Sequence, residues 1–128
     1  MSKGFSKYDI NGNVIYSMST WQGVESEHYY AYDSMNRRIK YERIDYDKSK
    51  NIIAIYKEYI SYSNTTKTLY TYNNIMKIIN IKVYNNSGRM ISEKIIDSNG
   101  YYTYREFNQY TKKYTSVTGR DLFYYTWN

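Results

Sequence analysis

The stretch Tyr8-Asp9-Ile10-Asn11-Gly12-Asn13-Val14-Ile15 constrains the fold more than any other, because degraded copies of it recur along the chain. Its closest echoes are Tyr32-Asp33-Ser34-Met35-Asn36-Arg37-Arg38-Ile39 and Tyr84-Asn85-Asn86-Ser87-Gly88-Arg89-Met90-Ile91, and weaker copies begin at Tyr46-Asp47, Tyr72-Asn73 and Phe107-Asn108. The unit has a local physical logic. An aromatic ends one strand, an Asp or Asn side chain caps the turn, Gly or Asn accepts a positive φ, and aliphatic residues open the next strand. The copies start at 8, 32, 46, 72, 84 and 107, with spacings of 24, 14, 26, 12 and 23 residues. A full unit is therefore near two dozen residues, two strands long, and can be split by an additional turn; neighbouring units complete one another's sheet.

Between the copies, β-branched and aromatic residues alternate with polar ones and helical periodicity is nearly absent, so the chain reads as all-β. In 78–84, Ile79, Ile81 and Val83 take one face while Asn80 and Lys82 take the other. In 90–96, Met90 and Ile96 flank Ser92 and Lys94 on one face, and Ile91 and Ile95 flank Glu93 on the opposite one. Strand-like runs also cover 13–20, 27–32, 37–45, 51–62, 67–72, 101–107, 112–117 and 121–127. Asn11-Gly12, Ser63-Asn64-Thr65-Thr66, Asn85-Asn86-Ser87-Gly88 and Asp97-Ser98-Asn99-Gly100 fall between strands as turns. Ser116 to Leu122 is the one place where a helix could intrude, and the Lys57-Glu58 pair offers a weaker helical argument for 52–60, against which the β-rich composition of that run prevails. The expectation is one domain over 1–128, an antiparallel meander of about eight to ten strands in a twisted sheet, half-barrel or two-layer sheet.

At 128 residues the chain fits a single domain. No run approaches the roughly 18 consecutive apolar residues of a membrane-spanning helix, and Met1-Ser2-Lys3-Gly4-Phe5-Ser6 lacks the apolar core of a signal peptide, so the expected location is cytoplasmic. With no cysteine, disulfides and thiolate metal sites are excluded. Twenty residues are Tyr, against three Phe and two Trp, and Pro is absent. Tyr suits a half-wet sheet, since its ring packs across strands while its hydroxyl reaches water or a polar partner. A gene rich in A and T would also enrich Tyr, Asn, Lys and Ile. The net charge of +6 is uneven: residues 1–64 carry nine Lys or Arg against eight acids, and residues 65–128 carry nine against four. A basic C-terminal half fits an acidic protein or nucleic acid, although scattered Lys is also the ordinary means of keeping a sheet soluble.

The unit Tyr-Asp-x-x-Gly-Asn/Arg-aliphatic-Ile, preceded by a Tyr-rich strand such as Glu27-His28-Tyr29-Tyr30-Ala31, resembles the YD or Rhs repeat of bacterial polymorphic toxin systems. The match covers about half the chain in short pieces. Only the copies at 12 and 88 keep the Gly, and the aromatic-acid pair becomes aromatic-Asn from residue 72 on. In that family long arrays of hairpins enclose a toxin, whereas a short, cysteine-free chain with its own Met1 looks like the small immunity proteins encoded beside polymorphic or contact-dependent toxins. The resemblance implies stoichiometric, one-to-one binding of a cognate toxin. Trp21, Tyr29, Arg37, Arg38, Tyr102, Arg105 and Trp127 are the candidate contacts by residue type, because Tyr, Trp and Arg carry binding energy at interfaces.

Chemistry is sparsely provided. His28 is the only histidine, and a strand places Glu27 and Tyr29 on the face opposite to it, so it reads as a strand residue at a surface. Glu25 with Glu27, and Asp45 with Asp47, share strand faces and could hold a cation or act as an acid and base; turn capping is a sufficient explanation for Asp47. Thr118-Gly119-Arg120-Asp121 is a lone glycine without a phosphate motif. Tyr101-Tyr102-Thr103-Tyr104-Arg105 and Tyr110-Thr111-Lys112-Lys113-Tyr114 interleave rings with cations, which suits either a packing ladder or a platform for single-stranded nucleic acid. Sugar stacking is a minor option, with Trp only at 21 and 127. The expectation is a non-enzymatic protein-binding module with no cofactor and no metal, and a nucleic-acid-binding module using the C-terminal half as the alternative.

Overall fold

The computed structural model describes residues 3–120, and these are all turn and strand. Ten strands follow one another: β1 (Lys3–Tyr8), β2 (Val14–Trp21), β3 (Val24–Tyr32), β4 (Arg38–Tyr46), β5 (Ile52–Tyr62), β6 (Thr66–Asn73), β7 (Ile78–Asn85), β8 (Met90–Ile96), β9 (Tyr101–Asn108) and β10 (Lys113–Arg120). They form one antiparallel sheet in sequential order from β1 to β10, so the all-β meander expected from the repeat is the observed fold. Ser116 to Arg120 lies in β10, not in a helix, and 52–60 is strand. The run 121–127 lies outside the described residues.

Five of the Asp or Asn turns, at Asp9, Asp33, Asp47, Asn85 and Asp97, share one geometry. At the first copy Gly12 N–H donates to Asp9 O at 3.1 Å and Asp9 N–H to Asn13 O at 2.8 Å, closing a tight turn. The Asp9 carboxylate then accepts from the backbone N–H groups of Asn11 and Asn13, both at 2.9 Å. Asp33 accepts likewise from Met35 and Arg37, Asp47 from Ser49 and Asn51, Asn85 from Ser87 and Arg89, and Asp97 from Asn99 and Tyr101. The fourth residue of each turn adopts a left-handed backbone, with φ of 84° at Gly12, 61° at Asn36, 67° at Lys50, 85° at Gly88 and 84° at Gly100. This is a type I turn closed by a bulge. The bulge explains the register, since pairing shifts at Tyr8, Tyr32, Tyr46 and Tyr84, the aromatics that open the copies.

The two weaker copies at Asn73 and Asn108 are one residue longer. Their left-handed residues are Lys77 and Lys112, and Lys112 N–H donates back to Asn108 O at 2.9 Å. Lysine therefore occupies three left-handed positions where Gly or Asn was expected.

The strands fall into two compact units, Met1–Tyr59 with Asn73–Ile75, and Ile60–Tyr72 with Met76–Asn128. In the first unit the register places Phe5, Tyr16, Met18, Glu27, Tyr29, Glu42 and Ile44 on one face and His28, Tyr30, Tyr41, Arg43 and Tyr56 on the other. In the second, Ile79, Ile81, Lys94, Ile96, Tyr102 and Tyr104 share one face, and Asn80, Lys82, Glu93, Arg105 and Ser116 the other, as the alternation in 78–84 and 90–96 predicts. Buried apolar residues are few among those described, namely Ile79 and Ile96, which are direct cross-strand partners. Tyr102 pairs with Ile96 on one side and with Gly119 on the other. A Cβ at Gly119 would lie 2.5 Å from the Tyr102 hydroxyl and 2.6 Å from its Cζ, so the ring lies directly over the glycine and extends the apolar row across four strands.

Two substitutions separate backbone strain from packing in the turns. Gly12 has open space around its missing Cβ, so Gly12→Ala should cost about 1 kcal/mol through φ alone, and Lys77→Gly should raise stability by a similar amount; urea unfolding of each variant measures both. Gly119→Ala should drive the Tyr102 ring off the row and lower stability by about 1–3 kcal/mol, read as a drop in Tm.

Candidate functional site

On one face of the first unit, three strands bring phenols onto one carboxylate. Tyr16 on β2 donates its hydroxyl to Glu27 Oε2 on β3 at 2.6 Å, and Tyr29, two residues along the same strand, donates to the same oxygen at 3.1 Å. Tyr46 at the end of β4 is a third donor. The Tyr16 hydrogen bond is the largest effect on Glu27. With Tyr46, Tyr29 and the charge of Lys50 it outweighs burial and holds the carboxyl below its ordinary range. The same bonding raises the phenols: Tyr16 and Tyr46 chiefly through their bonds to Glu27, Tyr29 chiefly through burial. Glu25 shares this face and pairs with Lys50.

The opposite face of that unit carries an aromatic cluster. Tyr41 stands at its centre, with its ring centroid 5.1 Å from Tyr30 and 6.0 Å from both His28 and Tyr56. His28 Nδ1 lies 2.8 Å from the Tyr41 hydroxyl, and burial, helped by the charge of Arg43, lowers the imidazole pKa. Tyr56 is pushed up to about 12, first by burial and then by its hydrogen bond to Glu58. Arg38 binds Glu58 at 2.5 Å and lies over the Tyr41 ring at 5.6 Å. Glu27 and Tyr29 face away from His28, as strand alternation predicts. Asp45 accepts from Ser26 at 2.7 Å, whereas Asp47 lies beyond the end of β4 and caps its turn, so these two do not form a strand-face pair.

In the second unit Glu93 is only 8 % exposed and gathers the polar groups of its face. Arg105 donates to Glu93 Oε1 at 3.1 and 2.6 Å, Asn80 to Oε2 at 3.2 Å, and Lys82 stands 3.8 Å from Oε2. Burial works to raise the Glu93 pKa, but these bonds and charges outweigh it and the net shift is downward. Around this cluster, guanidinium groups lie over rings: Arg89 over Phe107 at 4.6 Å, Arg120 over Tyr101 at 4.9 Å and Arg105 over Tyr114 at 5.2 Å. A hollow of about 420 Å³ lies beside the β9–β10 turn, lined by Glu106, Phe107, Asn108, Gln109, Tyr110 and Thr115. Among the described residues no three His, Asp or Glu side chains converge as metal ligands.

The contacts expected by residue type lie on several elements of the two units. Trp21 ends β2 and is 57 % exposed, while Tyr29 belongs to the Glu27 cluster and is 37 % exposed. Arg37 closes the third turn of its unit through its 2.8 Å pair with Asp33, and Arg38 opens β4. Tyr102 and Arg105 lie on opposite faces of β9. Trp127 lies outside the described residues. The Glu27 and Glu93 clusters and the Arg–ring pairs depend on cross-strand register, and residue type alone did not point to Tyr16, Tyr46, Arg89 or Arg120. Comparison of the chain with family models, with curated proteins and with solved structures finds no match.

The two lowered glutamates and the raised tyrosines make stability depend on pH at both ends. Glu27 and Glu93 stabilise the fold above the ordinary glutamate value of 4.5, and that contribution is lost as pH falls through their lower folded values. Above pH 10.0, the ordinary tyrosine value, the unfolded chain ionises its phenols while Tyr56 stays neutral to about 12, so stability falls again. Urea midpoints measured across pH should show both limbs. Glu27→Gln should reduce the acid limb, and an unchanged limb would place the titrating group elsewhere.

Proposed function

We propose that this chain is a non-enzymatic protein-binding module, and specifically an immunity protein that binds and neutralises a cognate bacterial toxin. The observation that carries the reading is the state of the aromatic side chains. Trp21, Tyr29, Tyr101 and Tyr114 are exposed, and the last three are held by a carboxylate or a guanidinium neighbour. Such rings lose little further rotamer freedom on docking while presenting large areas to a partner. The toxin as partner follows from the resemblance of the hairpin unit to repeats of polymorphic toxin systems. A hairpin sheet suits this role because its turns fix the backbone and leave the strand faces free to vary.

Co-expression with the product of the adjacent upstream gene tests this reading. The expected result is a one-to-one complex on size exclusion with light scattering, together with rescue of growth when that product is toxic. Trp21→Ala or Tyr29→Ala should weaken the complex about tenfold or more. Separate elution of the two proteins at micromolar concentration, with no growth rescue, would sink the proposal.

A further inference from the structure

The Glu93 face of β7–β10 in the second unit gathers four cations against one carboxylate, and there the charge has a definite arrangement. Lys82, Arg105 and Arg120 stand on that face by register, and Arg89 reaches it over the ring of Phe107. Glu93 is the carboxylate among the described strand residues of this face, and it is buried with its oxygens engaged by Arg105, Asn80 and Lys82. The negative charge is thus turned inward, while Arg89 and Arg120 are exposed at the two ends of the face, with Arg105 between them. From Tyr101 to Phe107 the row spans about 20 Å at the usual rise per strand residue.

We infer that this face is a docking surface for an acidic protein segment, whose carboxylates pair with Arg89, Arg105 and Arg120. The inference rests on the protein-binding reading above and names the chemistry of the partner. Charge complementarity supplies the attraction, and ring coverage decides between the two polyanions that could answer it. A platform for nucleic-acid bases needs uncovered ring faces. Here Phe107, Tyr101 and Tyr114 each already carry a guanidinium over the ring. Rings used in this way restrain the guanidinium planes, and a restrained planar fork of N–H donors matches a carboxylate in two parallel hydrogen bonds. The buried Glu93 adds to the restraint at Arg105, which it holds from below through two contacts.

The test uses the full chain and defined probes: a fluorescein-labelled peptide of six Glu-Gly repeats, its Gln-Gly counterpart, and a labelled oligothymidylate of twelve nucleotides. Anisotropy titrations at low salt should show binding of the Glu peptide, weakened by added salt, and no binding of the Gln peptide. Arg89→Gln with Arg120→Gln leaves the Arg105–Glu93 pair intact and should weaken the Glu peptide about fivefold or more. Lys94→Gln with Lys113→Gln removes the same charge from the opposite face and should change binding by less than about twofold. Equal losses in the two double variants would reduce the effect to diffuse attraction and overturn the site. So would absence of Glu-peptide binding, or tighter binding of the oligothymidylate. Because no toxin enters this experiment, failure of the toxin reading leaves its result standing, and failure here leaves complex formation with a toxin to be judged by itself.

Discussion

Seven of the nine turns between the described strands depend on one Asp or Asn side-chain oxygen. An Asp or Asn at the end of a strand accepts two backbone N–H groups that the turn would otherwise leave without partners, and so selects a tight turn whose fourth residue is left-handed. That residue is an extra one in its strand, and the pairing shifts at the preceding tyrosine as a result. In a sheet the side-chain period is two, so a slip of one residue would exchange the faces of every following strand. The Glu93 cluster lies on strands joined by two such turns, at Asn85 and Asp97, whereas the Tyr16–Glu27 contact crosses the Gln22-Gly23 hairpin. Neighbouring turns also bond to each other, Asn11 and Asn13 both donating to the Asn36 side chain at 3.2 and 3.1 Å.

Fixed register allows a sheet with little fully buried apolar surface to be held by cross-strand pairs. Two isoleucines are the buried apolar residues among those described, and most strand residues are only half-covered. The tyrosines fill the gap in a way Leu could not. Tyr16 packs its ring at 5.1 Å from Tyr29 while its hydroxyl binds Glu27, so one residue serves both packing and polar satisfaction. Tyr32 does the same toward the backbone of Val14, and Tyr114 toward that of Met90. The tyrosine content therefore has a structural use whatever the base composition of the gene.

This explains which parts of the molecule were legible in the sequence. The turns were, because Asp9, Asp33, Asp47 and Asn85 each carry their own instruction within five residues. The strand faces at 78–84 and 90–96 were, because alternation is local. Less legible were Lys50, Lys77 and Lys112, since a left-handed lysine leaves no compositional mark and is tolerated only because the capping oxygen and the flanking strands over-determine its backbone. The opening of β3 at Val24 was missed for a related reason: Gln22 and Gly23, both left-handed, make a two-residue hairpin without an Asp or Asn signal. The site was the least legible part. Tyr16 and Tyr46 are thirty residues apart in sequence and meet at Glu27 only through the pairing of three strands.

The two glutamate clusters also differ in what they leave exposed, and that difference bears on function. Glu27 is stabilised mainly by hydrogen bonds from phenol hydroxyls, which carry no charge, and its face holds Glu25 and Glu42 with Lys40 and Lys57 in near balance. Glu93 is neutralised by Arg105 and Lys82, which sit beside further cations rather than beside further acids. A buried carboxylate under a cationic surface lowers the cost of bringing like charges together. Arg89, Arg105 and Arg120 can then share one face without self-repulsion separating them, and the outward side of that face keeps its positive potential. An uneven charge that looked like scattered surface lysine in the sequence is, in the fold, an oriented one. The basic strands present the form in which arginine recognises carboxylates, while the balanced strands of the other unit present tyrosine and tryptophan.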